Sequence, residues 1–301
     1  MLSSCLTMEE SAAVRRSWES LGLPGLVDVH THFMPKRVMD KVWRYFDTAG
    51  ALVGRPWPVR YRTDETERLE TLRGFGVRAF TSLVYPHKPQ MAAWLNRWAA
   101  QFAAETPDCL STATFYPEPG AAEYVTAAVA GGVRVFKAHV QVGGYDPTDP
   151  LLDDVWGVLE DARTPIIIHC GSGPQPGVHT GPEPVRALLG RHPRLRLVVA
   201  HLGMPEYVEF LDLCERYDEV RLDTTMALTP FVEETMPFPR AALPRLIAAG
   251  ERILFGSDFP NIPYGYLEAI TVLTRLDGVD DAWLRAVLHD NAAGLFGLSH
   301  S

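Results

Sequence analysis

Two histidines stand one residue apart in Val27-Asp28-Val29-His30-Thr31-His32, and three later apolar runs also end in a residue that can hold a cation or move a proton. Pro165-Ile166-Ile167-Ile168 leads into His169, Leu197-Val198-Val199-Ala200 into His201, and Leu254-Phe255-Gly256-Ser257 into Asp258. Alternate side chains of an extended chain share a face, so His30 and His32 point the same way, as do Leu254, Gly256 and Asp258. Three imidazoles and one carboxylate form a borderline-hard donor set that suits zinc, and also manganese or iron. A divalent ion held there would lower the pKa of a bound water from about 15.7 to roughly 7 and would polarise a carbonyl. Each piece alone has a plain alternative. An isolated His-x-His arises by chance, a lone histidine at a strand end is usually a hydrogen-bonded core residue, and Asp258 before Phe259-Pro260 reads as a turn or cap. The case rests on the same placement recurring four times.

Something must bring these distant positions together. Short β-branched runs alternate along the chain with longer amphipathic stretches, the pattern of βα units around a parallel sheet. The strands are expected at 26–32, 77–84, 109–115, 133–140, 165–169, 195–201, 219–224 and 252–258. Helices are expected at 64–74, 88–105, 119–130, 150–162, 183–190, 205–217, 240–249 and 263–276. A C-terminal helix over 281–297 would follow, and Thr7 and Glu10 have the spacing of a capping box opening an N-terminal helix over 8–20. Eight strands, each followed by a helix, give a closed (β/α)8 barrel of TIM type, whose strand C-termini converge on one bowl. An open doubly wound sheet would need a glycine-rich phosphate turn after the first strand, where His30-Thr31-His32 stands instead. We read residues 1–301 as a single barrel domain. Residues 1–23 form an N-terminal extension, and 33–63 and 170–182 form long active-site loops.

Further residues at the same end of the barrel are candidates for holding a substrate. Lys137 and His139 close the fourth strand on one face. Lys137 could bind an anionic group or be a buried lysine paired with a carboxylate such as Asp28. Arg60 and Arg62 could clamp a carboxylate or be solvated loop residues. Tyr85, Tyr116 and Phe33 follow strands and could line a pocket or merely pack. His87 and His179 read as surface residues. Cys170 reads as a small buried residue, and Gly171-Ser172-Gly173 as a flexible turn that could offer N–H groups to an anion.

Composition narrows the partners. The 301 residues are 47% hydrophobic, enough for one large core, and the formal net charge is −9, which opposes nucleic acid as the main partner. A small molecule is the expected one. No run is long enough to span a membrane, and the N-terminus, with Met8 as an alternative start, has no signal-peptide pattern. Cys5, Cys109, Cys170 and Cys214 include no CxxC pair, so a reduced, cytoplasmic chain is expected. A homodimer is the default oligomer.

Taken together, the four motifs resemble those of the amidohydrolase superfamily, and in particular the amidohydrolase-related group that includes aminocarboxymuconate-semialdehyde and resorcylate decarboxylases. The resemblance spans roughly residues 24–298. It implies one divalent metal, commonly zinc, held at the positions of His30, His32, His169 and Asp258; many superfamily members instead bridge two metals with a carboxylated lysine on the fourth strand, the position of Lys137. It implies that His201 works beside the metal as an acid/base or as a polarising group, and that Asp258 takes the proton of the attacking water. The function expected is metal-dependent hydrolysis of a C–N or C–O bond at a carbonyl carbon, in a small amide, lactone or ester. The alternative is non-oxidative decarboxylation of an aromatic or unsaturated acid, since the group contains both.

Overall fold

The apolar runs form parallel strands whose residues are buried on both faces, as expected of a sheet covered by helices. A computed structural model describes residues 2–298, apart from the side chains of residues 2–7, 51 and 52. The strands are β1 Leu26–Asp28, β2 Val77–Thr81, β3 Cys109–Leu110, β4 Thr112–Thr114, β5 Val135–His139, β6 Ile166–His169, β7 Leu197–Val199, β8 Val220–Asp223 and β9 Ile253–Leu254. Neighbours pair in sequence order, β1-β2-β3 and β4 through β9. β3 and β4 are one strand interrupted at Ser111, whose carbonyl accepts from Arg134 and Val135. The two ends of this series also meet. Val29 N–H donates to Phe255 O at 3.0 Å, Asp258 N–H to His30 O at 2.8 Å, and His32 N–H to Phe259 O at 2.7 Å. The sheet is the eight-stranded (β/α)8 barrel expected.

Side-chain alternation sorts the strands into two cores. Val27, Val135, Ile167, Val198 and Leu254 cluster with Ala292 and Phe296 of the C-terminal helix, inside the barrel. Phe80, Phe136, Ile166, Ile168 and Val199 belong to the larger cluster shared with the surrounding helices. Lys137 is two residues beyond Val135, and His169 two beyond Ile167, so alternation carries both inward at the strand ends.

Several expected boundaries shift. The 33–63 loop contains an 18-residue helix, α2, Lys36–Val53, stopped by Gly54 in the left-handed region. Met39, Trp43 and Ala49 on it are buried, a helical spacing that the surrounding polar residues obscured. The N-terminal helix, α1, runs Leu2–Glu19, so Thr7 lies within it and does not open it. α1 packs on α3, Glu65–Phe75, where Trp18 Nε1 donates to Phe75 O at 2.9 Å. α3 itself begins at Asp64, whose carboxylate accepts from Glu67 N–H, a normal N-cap. The C-terminal helical stretch, Asp281–Phe296, includes a wider turn at Ala286–Asp290. Among the described residues no helix is long and apolar enough to cross a membrane.

Candidate metal centre and active-site cavity

At the C-terminal ends of the strands, one ligand atom each from His30, His32 and Asp258 lies within 4.8 Å of the other two. Asp258 Oδ1 is 2.9 Å from His32 Nε2 and 3.7 Å from His30 Nε2. All three residues are buried. The opposite ring nitrogens are already engaged. His30 Nδ1 donates to Asp223 Oδ2 at 2.9 Å, and His32 Nδ1 to the Leu83 carbonyl at 2.8 Å. Each Nε2 therefore keeps its lone pair for the space they share, the usual arrangement behind a metal-binding histidine. The donor set fits a divalent cation.

Local backbone makes this convergence possible. Asp258 sits at φ 71° and His201 at φ 58°, a conformation uncommon outside glycine and concentrated at functional sites. His201 is thus not the last residue of β7, as expected, but the first of a sharp turn beyond it. Gly256 keeps His30 seated, because a Cβ there would lie 2.7 Å from His30 Cβ and 2.1 Å from Thr225 Oγ1. Asp28 ties the first strand to the last, accepting from Ser257 Oγ at 2.6 Å, Tyr266 OH at 2.8 Å and His30 N–H at 3.1 Å. It does not pair with Lys137.

Three more bases complete the floor. His169 Nε2 donates to Gly173 O at 3.0 Å, which leaves Nδ1 with its lone pair. Its ring is 4.7 Å from that of His201 and stacks on His139 at 4.0 Å, because β5 and β6 pair His139 with His169 in register. His201 Nδ1 donates to Thr225 O at 3.1 Å, leaving Nε2 as an acceptor. His139 has the opposite tautomer. Its Nδ1 accepts from Val142 N–H at 3.3 Å, so Nε2 bears the proton. Lys137 Nζ lies 3.2 Å from His30 Nε2.

Burial sets the protonation of this group. Desolvation, reinforced by the Lys137 charge, holds His30 well below the ordinary imidazole range and pushes His169 down to about 3. Burial and the neighbouring His169 depress His139 and His201 likewise. Neutral imidazole is the form that binds a metal. Burial also lowers Lys137 to about 8, against the charges of Asp223 and Asp258.

A cavity of 820 Å³ opens over this floor. The structure brings His30, His32, His169, His201, Asp258, Lys137, His139 and Tyr85 to its wall. The other expected residues lie elsewhere. Arg62 forms a two-pronged pair with Asp47, and Arg60 lies 3.5 Å from Glu10. Phe33 is fully buried against Phe80, Phe102 and Phe259, so its position after β1 reflects packing. Tyr116 OH donates to Gly143 O outside the cavity wall. The 171–173 turn offers no free nest, since Ser172 N–H donates to Glu206 and Gly173 N–H to Met204 O. His87 is exposed, as expected, and stands at the cavity mouth. Cys170 is buried, and burial pushes its thiol up.

Asp223 is the residue that sequence reasoning missed. One of its oxygens holds His30, and the other accepts from His201 N–H at 2.9 Å and Thr225 N–H at 3.1 Å. Its signal was visible, for it is an acid at the end of the buried run Val220–Asp223, the same placement that singled out His169.

The chain matches the family described as amidohydrolase over residues 27–298. No curated protein matches it. Among solved structures it is similar to an uncharacterized TIM-barrel protein from Bordetella bronchiseptica, with TM-score 0.73 and 18% identity over 91% of this chain and 98% of that one. It is similar to a 5-carboxyvanillate decarboxylase from Novosphingobium aromaticivorans, complexed with manganese and 4-hydroxy-3-methoxy-5-nitrobenzoic acid. There the TM-score is 0.61 and the identity 14%, over 92% of this chain and 97% of that one. A candidate 2-pyrone-4,6-dicarboxylic acid hydrolase from Pseudomonas putida gives TM-score 0.61 and 19% identity over 91% and 98%. At these identities the structures share the fold.

Proposed function

The chain belongs to the amidohydrolase family of enzymes, and on that premise we propose that it is a metal-dependent hydrolase cleaving a C–N or C–O bond at a carbonyl carbon. His30 Nε2, His32 Nε2, Asp258 Oδ1 and His169 Nδ1 would hold one divalent ion, zinc first and manganese or iron next. When bound, that ion supplies an acidified water and a Lewis acid for the carbonyl.

The protein's own groups do the rest. Asp258 turns Oδ1 toward both Nε2 atoms, and its Oδ2 has no hydrogen-bond partner among the described residues. This is the observation that carries the reading, because Oδ2 is free to take a proton from an attacking water. The water oxygen adds to the carbonyl carbon, the C–N or C–O bond breaks, and the proton held by Asp258 passes to the departing atom. His139 Nε2–H and the Lys137 ammonium are the donors available to the carbonyl oxygen as it gains charge. The His201 Nε2 lone pair holds the water's second proton in place. Buried walls exclude bulk water and strengthen each of these interactions.

One feature favours a second reading, non-oxidative decarboxylation of an aromatic or unsaturated acid. Lys137 is a fully buried proton donor with a pKa lowered to about 8, suited to protonating a carbon that loses CO₂. Incubating the metal-loaded protein in H₂¹⁸O with panels of lactones, amides and carboxylated phenols separates the two. Label in the product carboxylate supports hydrolysis, and CO₂ release with no label taken up overturns it in favour of the second.

A further inference from the structure

Above the imidazole floor, the mouth of the cavity carries a different chemistry. Arg37 and Lys41 lie on α2, and His87 and Lys88 lie on the segment after β2; all four line the cavity and are exposed. Arg37, Lys41 and Lys88 pair with no carboxylate among the described residues. Nearby acids are engaged elsewhere. Asp40 pairs with Lys36, Asp47 with Arg62, and Glu118 accepts from Gln90 N–H and Tyr124 OH. Lys88 and Lys41 are close enough that, after desolvation, their charges help hold His87 below its ordinary value. Cations converge here on a chain whose net charge is −9, so this is a local reversal of sign at one opening. Two aromatic residues share that rim, Tyr45 at 44% and Trp94 at 42% exposure.

We infer that the mouth is a second anion subsite. It would select substrates that carry, besides the group reacting at the floor, a carboxylate or phosphate at the remote end of an apolar or aromatic body. The inference rests on the floor being the reacting centre. Cations without internal partners lose no ion pair when an anion arrives, and a cleft focuses their field on it. The planar guanidinium of Arg37 suits a two-oxygen anion, and the lysines act as mobile point charges. Tyr45 and Trp94 give the connecting body an apolar surface to lie on. The length of α2 places Arg37 and Lys41 one turn apart on one face, so the subsite can follow anions of somewhat different reach.

The test uses the metal-loaded protein and the fluorescence of its tryptophans, two of which, Trp57 and Trp94, line the cavity. The probes are a ladder of α,ω-dicarboxylates, the matching monocarboxylates, and ω-phosphonocarboxylates of equal length. The expected result is a preferred length at which a second acid tightens binding about tenfold. In the Arg37→Ala/Lys41→Ala/Lys88→Ala variant the ratio of dicarboxylate to monocarboxylate affinity should fall to about one. The phosphonate arm identifies which anion the mouth prefers. Equal affinities in the wild type, or a gain that the triple variant keeps, would overturn the subsite. His169→Ala tests the underlying reading separately: full metal content and unchanged monocarboxylate binding there would count against the floor, while the ratio still judges the mouth.

Discussion

The floor and the mouth of the cavity differ in how much freedom their polar groups keep. On the floor, His30, His32, His169 and His201 each commit one ring nitrogen, to Asp223, Leu83 O, Gly173 O and Thr225 O respectively. At the mouth, Arg37, Lys41 and Lys88 pair with no carboxylate among the described residues and stand in solvent. Bond-making chemistry needs reacting atoms held to fractions of an ångström, and a group fixed beforehand loses little entropy in the reaction. Recognising a charged tail tolerates looser geometry, because Coulomb attraction falls slowly with distance. One cavity thus pairs a rigid centre with an adaptable entrance.

Breaking the rigid part should have the largest effect. Asp258→Ala should lower turnover by about a thousandfold, the scale of losing a positioned proton acceptor, and should reduce the metal content measured by elemental analysis. Stripping the metal with a chelator should come next. A ligand present at 100 times its Kd stabilises a fold by about 2.7 kcal/mol, so Tm should fall by several degrees and return on adding back zinc or manganese. Asp223→Ala leaves all the proposed ligands in place and removes the acceptor that holds His30, His201 and the Thr225 N–H. Metal affinity, read by competition with a chromogenic chelator, should weaken by about 10- to 100-fold; an unchanged affinity would mean that the floor is not held from behind.

Smaller changes sharpen the contrast. Gly256→Ala should cost about 1–3 kcal/mol of stability from overpacking, seen as a lower Tm, and Thr225→Ala in the same chain should restore part of it by removing the closest obstructing atom. The mouth should give the mildest phenotype. Arg37→Ala, or simply more salt, should raise KM for an acidic substrate about two- to fivefold and leave kcat in place. A fall in kcat would show that the entrance is coupled to the chemistry.

Much of this was legible in the linear chain. The apolar runs that end in His30/His32, His169 and Asp258 announced both the barrel and the residues around its rim, because a strand buried on two faces has few ways to carry a polar residue except at its end. Asp223 carried the same signal and was overlooked because an acid at a strand end is common. The helix α2 was hidden inside a segment read as a loop. Its apolar residues, Met39, Trp43 and Ala49, have helical spacing, but Gly50, Gly54 and the prolines Pro35, Pro56 and Pro58 made the region look irregular.

Other features had no linear signature. Arg60 and Arg62 looked like a carboxylate clamp, and only the folded chain delivers Glu10 and Asp47 to them. Lys41 and Lys88 are far apart in sequence, and their convergence at one opening depends on how α2 lies across the barrel. Residue types and two-residue periodicity therefore determined which groups could do chemistry and the layer in which they would sit, since both follow from local backbone geometry. Which nitrogen faces the centre, which cations remain unpaired, and which residues are merely core were decided by tertiary structure, because each depends on a partner brought from a distant part of the chain.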